Sequence, residues 1–306
     1  MKIIDPIDSS LIEAELTPER FLRDTNKGGN KIYVVDAKSA PNTMCEIGRL
    51  REIAFRSAGG GTGKDCDIDE FDTMEHPCHQ LIVWDPDNRQ ILGGYRFLRG
   101  SEMDFDANGR PNIACAHMFD FSERFLEHYL PHTIELGRSF VRVECQSTRN
   151  AKSIFTLDNL WDGLGSLTVV YPEIKYLFGK VTMYPSYIST CRDMILFFLN
   201  KYFPDPERLV WPIHPLEITT PEAELNALFD GGDFKSDYRI LNAAVHARGV
   251  NIPPLVNAYM SLSPTMHMFG TAVNTEFGNV EESGIFLVID EIFPEKKERH
   301  INTYHP

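Results

Sequence analysis

The feature with the strongest hold on the fold is a pair of apolar runs flanking Asp85-Pro86-Asp87-Asn88. Pro presets φ for a turn, and Asp and Asn hydrogen-bond their own backbone there. Gln80-Leu81-Ile82-Val83-Trp84 leads in and Ile91 to Leu98 leads out, so the two runs read as an antiparallel hairpin. Further strands are expected over Lys31–Asp36, residues 132–143, Ile174–Val181 and Gly284–Asp290. Helices are expected over 17–23, opened by Thr17-Pro18-Glu19, then over 43–57 and 153–170. Tyr187, Cys191, Met194, Ile195, Phe198 and Tyr202 recur at helical spacing until Pro204, and a last helix is expected near 235–248. A hairpin followed by alternating helices and strands implies an α/β (α+β) chain, a mixed sheet with helices on both faces.

The 306 residues suffice for one large domain or two small ones. Lys plus Arg number 30 and Asp plus Glu 44, a net charge of −14 that argues against a nucleic-acid partner. The densest apolar run, Met194 to Leu199, is far short of the ~18 residues of a membrane span. Met1-Lys2-Ile3-Ile4-Asp5 lacks the apolar stretch of a signal peptide, so a cytoplasmic protein is expected. Cys45, Cys66, Cys78, Cys115, Cys145 and Cys191 include no C-x-x-C pair and read as reduced thiols.

Several clusters invite chemistry. Gly59-Gly60-Gly61-Thr62-Gly63-Lys64 resembles a phosphate loop, but Ala58 and Asp65 stand where Gly and Ser or Thr belong. A surface or lid loop is expected instead. His76-Pro77-Cys78-His79, with Cys66 and Cys115-Ala116-His117, suggests zinc, yet paired ligand motifs are missing. The simpler reading is the start of a strand with one buried Cys and no metal. Asp67, Asp69, Glu70 and Asp72 form either a solvated loop face or a site for a cationic amine. In Glu135-Leu136-Gly137-Arg138, strand alternation puts Glu135 and Gly137 on one face and Leu136 and Arg138 on the other. Charges inside an apolar strand are costly unless paired, so this is a structural ion pair or a site at the mouth of a sheet. Arg96 poses the same choice.

In order, the chain carries Arg51 and Phe55, Asp69-Glu70-Phe71-Asp72, Cys78 to Val83, Gly94-Tyr95-Arg96 and Glu135 to Val141. Leu160-Trp161-Asp162-Gly163-Leu164 and Ile252 to Tyr259 follow. Together these resemble the hemolysin-like N-acyltransferases of the GNAT superfamily, which make ornithine lipids and, in some bacteria, glycine lipids. They are also similar to acyl-homoserine-lactone synthases. The resemblance covers roughly residues 45–290. It implies an N-terminal helix and strand extension over 1–40 and an acyltransferase domain over 41–306, with a helical insertion near 203–250. It further implies a twisted mixed sheet whose two central strands splay apart around the donor's pantetheine arm.

The implied activity is transfer of a (3-hydroxy)fatty acyl group to the α-amine of ornithine or glycine in membrane aminolipid synthesis. Glu135, Arg138 and Asp72 take catalytic places by this resemblance. Arg51, Asp69, Arg96, Ser139 and Arg149 take substrate-binding ones. Glu135 would be the base or the anchor of the amine, with Arg138 holding the network beside it. A neutral amine attacks a thioester directly, so no Ser or Cys nucleophile is required, only removal of a proton. Coenzyme A users of the superfamily carry Gln/Arg-x-x-Gly-x-Gly/Ala after this strand; here Gln146-Ser147-Thr148-Arg149-Asn150-Ala151 puts Arg149 at the central Gly. Arg lacks the backbone freedom of Gly, which weakens a pyrophosphate cradle. The expected donor is therefore acyl carrier protein, with its single phosphodiester, and acyl-coenzyme A is the other choice. No metal and no bound cofactor are expected. Expected partners are acyl carrier protein, a small amino-acid acceptor and a second O-acyltransferase; peripheral contact with the inner face of the membrane fits the product. The competing readings are a non-catalytic acyl-carrier or acyl-lipid binding protein on a degenerate GNAT fold, and a signal synthase.

Overall fold

A computed structural model describes residues 1–146 and 155–305. The expected hairpin is present as β3 (His79–Asp85) and β4 (Gln90–Arg99), once β1 (Phe21–Asp24) and β2 (Lys31–Val35) are counted before it. The turn works as the sequence implies, with Asp85 Oδ1 accepting the Asp87 and Asn88 N–H groups at 3.1 and 3.3 Å. A short strand β5 (Phe119–Phe121) precedes β6 (Thr133–Val141) and β7 (Tyr176–Met183). Then come β8 (Val210–Pro212), β9 (His267–Asn274) and β10 (Val280–Val288). Eight of these form one sheet in the order β1-β2-β3-β4-β6-β7-β10-β9, while β5 pairs with β8.

Residues 17–23 do not form the expected helix. Pro18–Arg20 make a single 3-10 turn, and Phe21 and Arg23 then pair with Tyr33 and Ile32 of β2. A seven-residue segment nucleates a helix poorly, and the sheet edge offers it a ladder of partners. β9 is an edge strand that the sequence reading did not assign, and β10 starts at Val280, upstream of the expected Gly284. The polar Glu281-Glu282-Ser283 start conceals the beginning of that strand, which pairs with Val181, Thr182 and Met183 of β7.

After α1 (Ser9–Glu15), helix α2 (Pro41–Ala58) starts with Pro41 in its first turn and ends on Gly59, whose φ of 97° is a left-handed cap. One turn, α3 (Glu70–Thr73), follows, then α4 (Thr156–Val170) and α5 (Ser189–Tyr202). Behind them lie α6 (Glu222–Leu228), α7 (Phe234–His246), α8 (Pro254–Met260) and α9 (Pro294–His300). Leu81, Tyr95, Phe97, Leu136 and Leu177 point to one face of the sheet and pack on α4, α5, α7 and α8. Ile82, Trp84 and Phe140 point to the other and pack on α2 residues Met44, Ile47 and Phe55. Helices therefore cover both faces. Among the described residues, no helix is long and apolar enough to cross a membrane.

One junction positions the site. β6 and β7 are the parallel neighbours in the sheet. They pair only through Thr133–Leu136 against Tyr176–Gly179 and then separate, although β6 continues to Val141 and β7 to Met183. Gly179 sits at the point of divergence, where an added Cβ would lie 2.7 Å from the Leu136 carbonyl oxygen. The close approach there, and the gap beyond it, form the expected splay.

Candidate active site

A belt of ionisable groups crosses the α2 face of the sheet beside this splay. Gln80, Arg96 and Gly137 oppose one another across β3, β4 and β6, so they share a face. Glu135 opposes Phe178, and Thr182 opposes Glu282, which brings Glu135, Lys180, Thr182 and Glu282 to that same face. The belt divides two apolar clusters: Ile82, Trp84, Phe140 and α2 on one side, Leu98, Phe178 and Phe286 on the other.

Arg138 departs from strand alternation. Gly94 pairs with Phe140 but Arg96 pairs with Gly137, so β6 holds one extra residue opposite Tyr95. This is a β-bulge, and Arg138 takes its left-handed backbone with φ 47°. The bulge turns the guanidinium to the Glu135 face, against the alternation expected from sequence. Arg138 Nε then lies 3.1 Å from Asp67 Oδ2 and Nη2 lies 3.3 Å from Asp69 Oδ2. Its guanidinium also sits 4.3 Å above the Phe277 ring. No ion pair joins Glu135 to Arg138 among the described residues; the ion pairs of that strand form instead between Arg138 and the carboxylates of Asp67 and Asp69.

Of the acidic run only Glu70 is solvated; Asp67 and Asp72 are buried and Asp69 nearly so. Asp69 caps α3: its Oδ1 accepts the Phe71 and Asp72 N–H groups at 3.1 and 3.3 Å, while Asp72 Oδ2 accepts the Asp69 N–H at 3.2 Å. Arg96 bridges both carboxylates, at 2.6 Å to Asp69 and 3.4 Å to Asp72. Arg51, from α2, is fully buried with Asp72, 3.1 Å away. Arg51 Nη2 also donates to Gln80, and Gln80 Nε2 donates to Asp72 at 2.9 Å. Burial would raise the Asp69 pKa, but Arg96 and then Arg138 outweigh it and hold the carboxyl well below the usual range. At Asp67 burial wins over the same arginines, and its pKa is raised.

Glu135 is 5% exposed, and its Oε1 accepts the Cys115 N–H at 2.9 Å. Lys180 Nζ lies 3.1 Å from Glu282 Oε2 and donates to the Ala114 carbonyl at 3.4 Å. Burial pushes the Cys78 thiol up to about 12 and raises Cys115 strongly, so neither supplies a thiolate near neutral pH.

Two chambers meet at this belt. The first, about 220 Å³, occupies the splay and is lined by Glu135, Gly137, Arg138, Ser139, Lys180 and Thr182. Phe55 and Phe277 bound it on the α2 face, and Pro253, Pro254 and Leu255 bound it at the start of α8. The second, about 280 Å³, is lined by Lys64, Asp69, His117, Asn274 and Glu276. Arg96, Ala114, Arg138, Lys180 and Phe277 line both and form the waist between them.

Of the residues expected from sequence, Glu135, Arg96, Arg138 and Ser139 line the first chamber, and Asp69 lines the second. Asp72 and Arg51 line neither; they are fully buried behind Arg96. Arg149 lies outside the described residues. The Gly59–Lys64 segment is a surface loop, anchored by buried Glu52, which accepts from Thr62 N, Thr62 Oγ1 and Gly63 N at 3.1, 2.8 and 2.9 Å. Cys78 is buried at the start of β3, as expected, with His79 3.4 Å from Glu102 and His76 3.1 Å from Asp104. Lys180 and Glu282 went unrecognised in the sequence. The signal that flagged Glu135, a charge inside an apolar strand, was present at Lys180 too.

Residues 50–156 match the acetyltransferase (GNAT) domain family. The glycine N(alpha)-acyltransferase of Bacteroides thetaiotaomicron is 60% identical over all of this chain and 92% of its own length. That of Phocaeicola vulgatus is 59% identical over all of this chain and 95% of its own. Among solved structures, the CoA-dependent acyl-homoserine lactone synthase BjaI superposes with a TM-score of 0.37 and 10% identity over 89% of each chain. The synthase LasI gives 0.31 and 14% over 51% of this chain and 74% of its own. Values this low add nothing to the assignment, which rests on the sequence relatives. The chain is an acyltransferase of the GNAT superfamily and belongs to the family of these glycine N(alpha)-acyltransferases.

Proposed function

We propose that this enzyme transfers a fatty acyl group from the pantetheine thioester of acyl carrier protein to the amine of glycine. The observation that carries the reading is the β6–β7 splay. It is an opening through the sheet with Glu135 on its wall and a cationic waist leading to a second chamber. The thioester lies in the splay and glycine enters from the second chamber. Glu135 accepts a proton from the glycine ammonium, and the freed amine attacks the carbonyl carbon. Backbone N–H groups along the unpaired edges of β6 and β7 stabilise the oxyanion. The attack forms the C–N bond; collapse of the tetrahedral intermediate breaks the C–S bond, and the second proton lost by the nitrogen neutralises the departing pantetheine thiolate, which leaves as the thiol. Arg96, Arg51, Asp69 and Asp72 form the rigid base that aims Arg138, and Ser139 contacts the donor arm.

Glycine is favoured over ornithine because the two relatives above bear glycine in their names. Carrier protein is favoured over coenzyme A because Arg149 replaces the glycine of the pyrophosphate cradle. The product is an amphiphile, which suits release at the inner face of the membrane and, for a 3-hydroxyacyl chain, a second acylation on its hydroxyl by another enzyme. Lipid mass spectrometry of a host expressing the chain tests this. An N-acylglycine absent from the control host supports it. An unchanged lipid profile, with folded protein and a normal 3-hydroxyacyl carrier-protein pool, refutes it, and an N-acylornithine instead refutes the acceptor.

A further inference from the structure

We propose that Lys180 binds the carboxylate of the acceptor, so that the enzyme selects an α-amino acid over a simple amine. The inference rests on the reading of the acceptor given above. Among the described residues, four cations reach the belt, and the three arginines are each tied to the Asp67, Asp69 and Asp72 carboxylates. Arg51 is closed in by Asp72 and Gln80 behind the chambers. Arg96 is held by Asp69 and Asp72, and Arg138 by Asp67 and Asp69. Lys180 has three N–H donors and, among the described residues, two protein partners, Glu282 and the Ala114 carbonyl. It lines both chambers, so its remaining donor has the waist to serve.

Glu282 is a supporting group rather than a competitor for the substrate. Its Oε1 accepts Thr182 Oγ1 at 3.2 Å, and its Oε2 takes Asn274 Nδ2 at 3.0 Å together with Lys180. Burial would raise its pKa, but Lys180 and Asn274 outweigh this and keep it ionised. It pairs with Lys180 where only 10% of the lysine side chain reaches solvent. A buried pair of this kind adds little to stability over an apolar replacement, so its presence at a substrate cavity points to binding.

The spacing fits the acceptor. Glu135 opposes Phe178, and Lys180 lies two residues further along β7 on the same face. Glu135 Oε1 takes the Cys115 N–H at 2.9 Å and Lys180 Nζ donates to the adjoining Ala114 carbonyl at 3.4 Å, so the two head groups flank one peptide unit. An α-amino acid with its amine toward Glu135 and its carboxylate toward Lys180 bridges them with one hydrogen bond at each end.

The test compares glycine with glycinamide, which keeps the amine and lacks the carboxylate, using the purified chain and acyl carrier protein loaded with a 3-hydroxyacyl group. The readout is the ratio of kcat/KM for the two acceptors. Lys180→Met should lower that ratio about 10–100-fold, the value of one charge-assisted hydrogen bond. Lys180→Arg should retain most of it. Lys180→Met combined with Glu282→Gln leaves no unpaired buried charge and should give the same ratio as Lys180→Met, even if the single variant folds poorly. A merely structural lysine would lower both acceptors together. A ratio unchanged from the parent protein in both methionine variants overturns the role of Lys180. A parent protein that acylates neither acceptor overturns the proposed function, and this inference with it.

Discussion

Replacing Glu135 by Gln separates chemistry from folding, because Gln keeps the size and one acceptor oxygen. In the structure, Glu135 makes one hydrogen bond to the backbone, accepting the Cys115 N–H at 2.9 Å. A Gln oxygen can take over that bond, so the cost to stability should be under about 1 kcal/mol. Glu135→Ala behaves differently, since Cys115 is fully buried and its N–H would lose its acceptor. That costs about 1–3 kcal/mol. At about 2–4 °C per kcal/mol for a large domain, the Ala variant should melt roughly 2–12 °C lower and the Gln variant nearly at the parent Tm. Loss of a general base costs about 10²–10⁴ in rate, and both variants should lose kcat in that range. The assay is turnover with saturating acyl donor and glycine beside a thermal melt of each protein. A Gln variant with near-normal turnover would remove Glu135 from the chemistry. A Gln variant that unfolds would show that the carboxylate is structural.

Asp69→Asn keeps the α3 cap but removes the charge between Arg96 and Arg138, and should cost about 3 kcal/mol at pH 7 together with most activity. Because the folded pKa of Asp69 is depressed, its contribution is present above the ordinary carboxylate pKa of about 4 and fades as pH falls toward the folded value. Melting curves between pH 7 and pH 3 should therefore fall less steeply for the Asn variant than for the parent; parallel curves would contradict this. Gly179→Ala places a Cβ 2.7 Å from the Leu136 carbonyl oxygen and should force β6 and β7 apart early, lowering both Tm and kcat/KM for the acyl donor. If carrier protein is the donor, raising salt from 0.05 to about 0.5 M should reduce kcat/KM with acyl carrier protein several-fold while acyl-pantetheine changes little. Equal sensitivity of the two donors would argue against electrostatic docking.

The hairpin, α2, α4 and α5 were legible because turn chemistry and helical spacing are local properties. β1 was misread because Pro18 opens a 3-10 turn as readily as a helix, and the choice was made by pairing with β2. β9 lacks sustained alternation and depends on β10 for its assignment. The site residues were visible as types: Glu135, Arg96 and Arg138 are charges inside apolar strands. Their arrangement was not, because one extra residue in β6 reverses the face of Arg138, and no local signal announces a bulge. Asp69 and Asp72 did carry a local signal, the spacing of a capping box, but a single helical turn is too short to show the apolar periodicity that confirms it. Lys180 and Glu282 belong to strands far apart in sequence, and only the β7–β10 register brings them together.

The most direct test of the account supplies the purified chain with 3-hydroxyacyl carrier protein and ¹³C-labelled glycine, and follows the label by mass spectrometry. The account predicts labelled N-acylglycine and free carrier-protein thiol in equal amounts, with formation slowed at least a hundredfold by Glu135→Gln. Thiol release without labelled product, or labelled product formed equally well by the Gln variant, would contradict it.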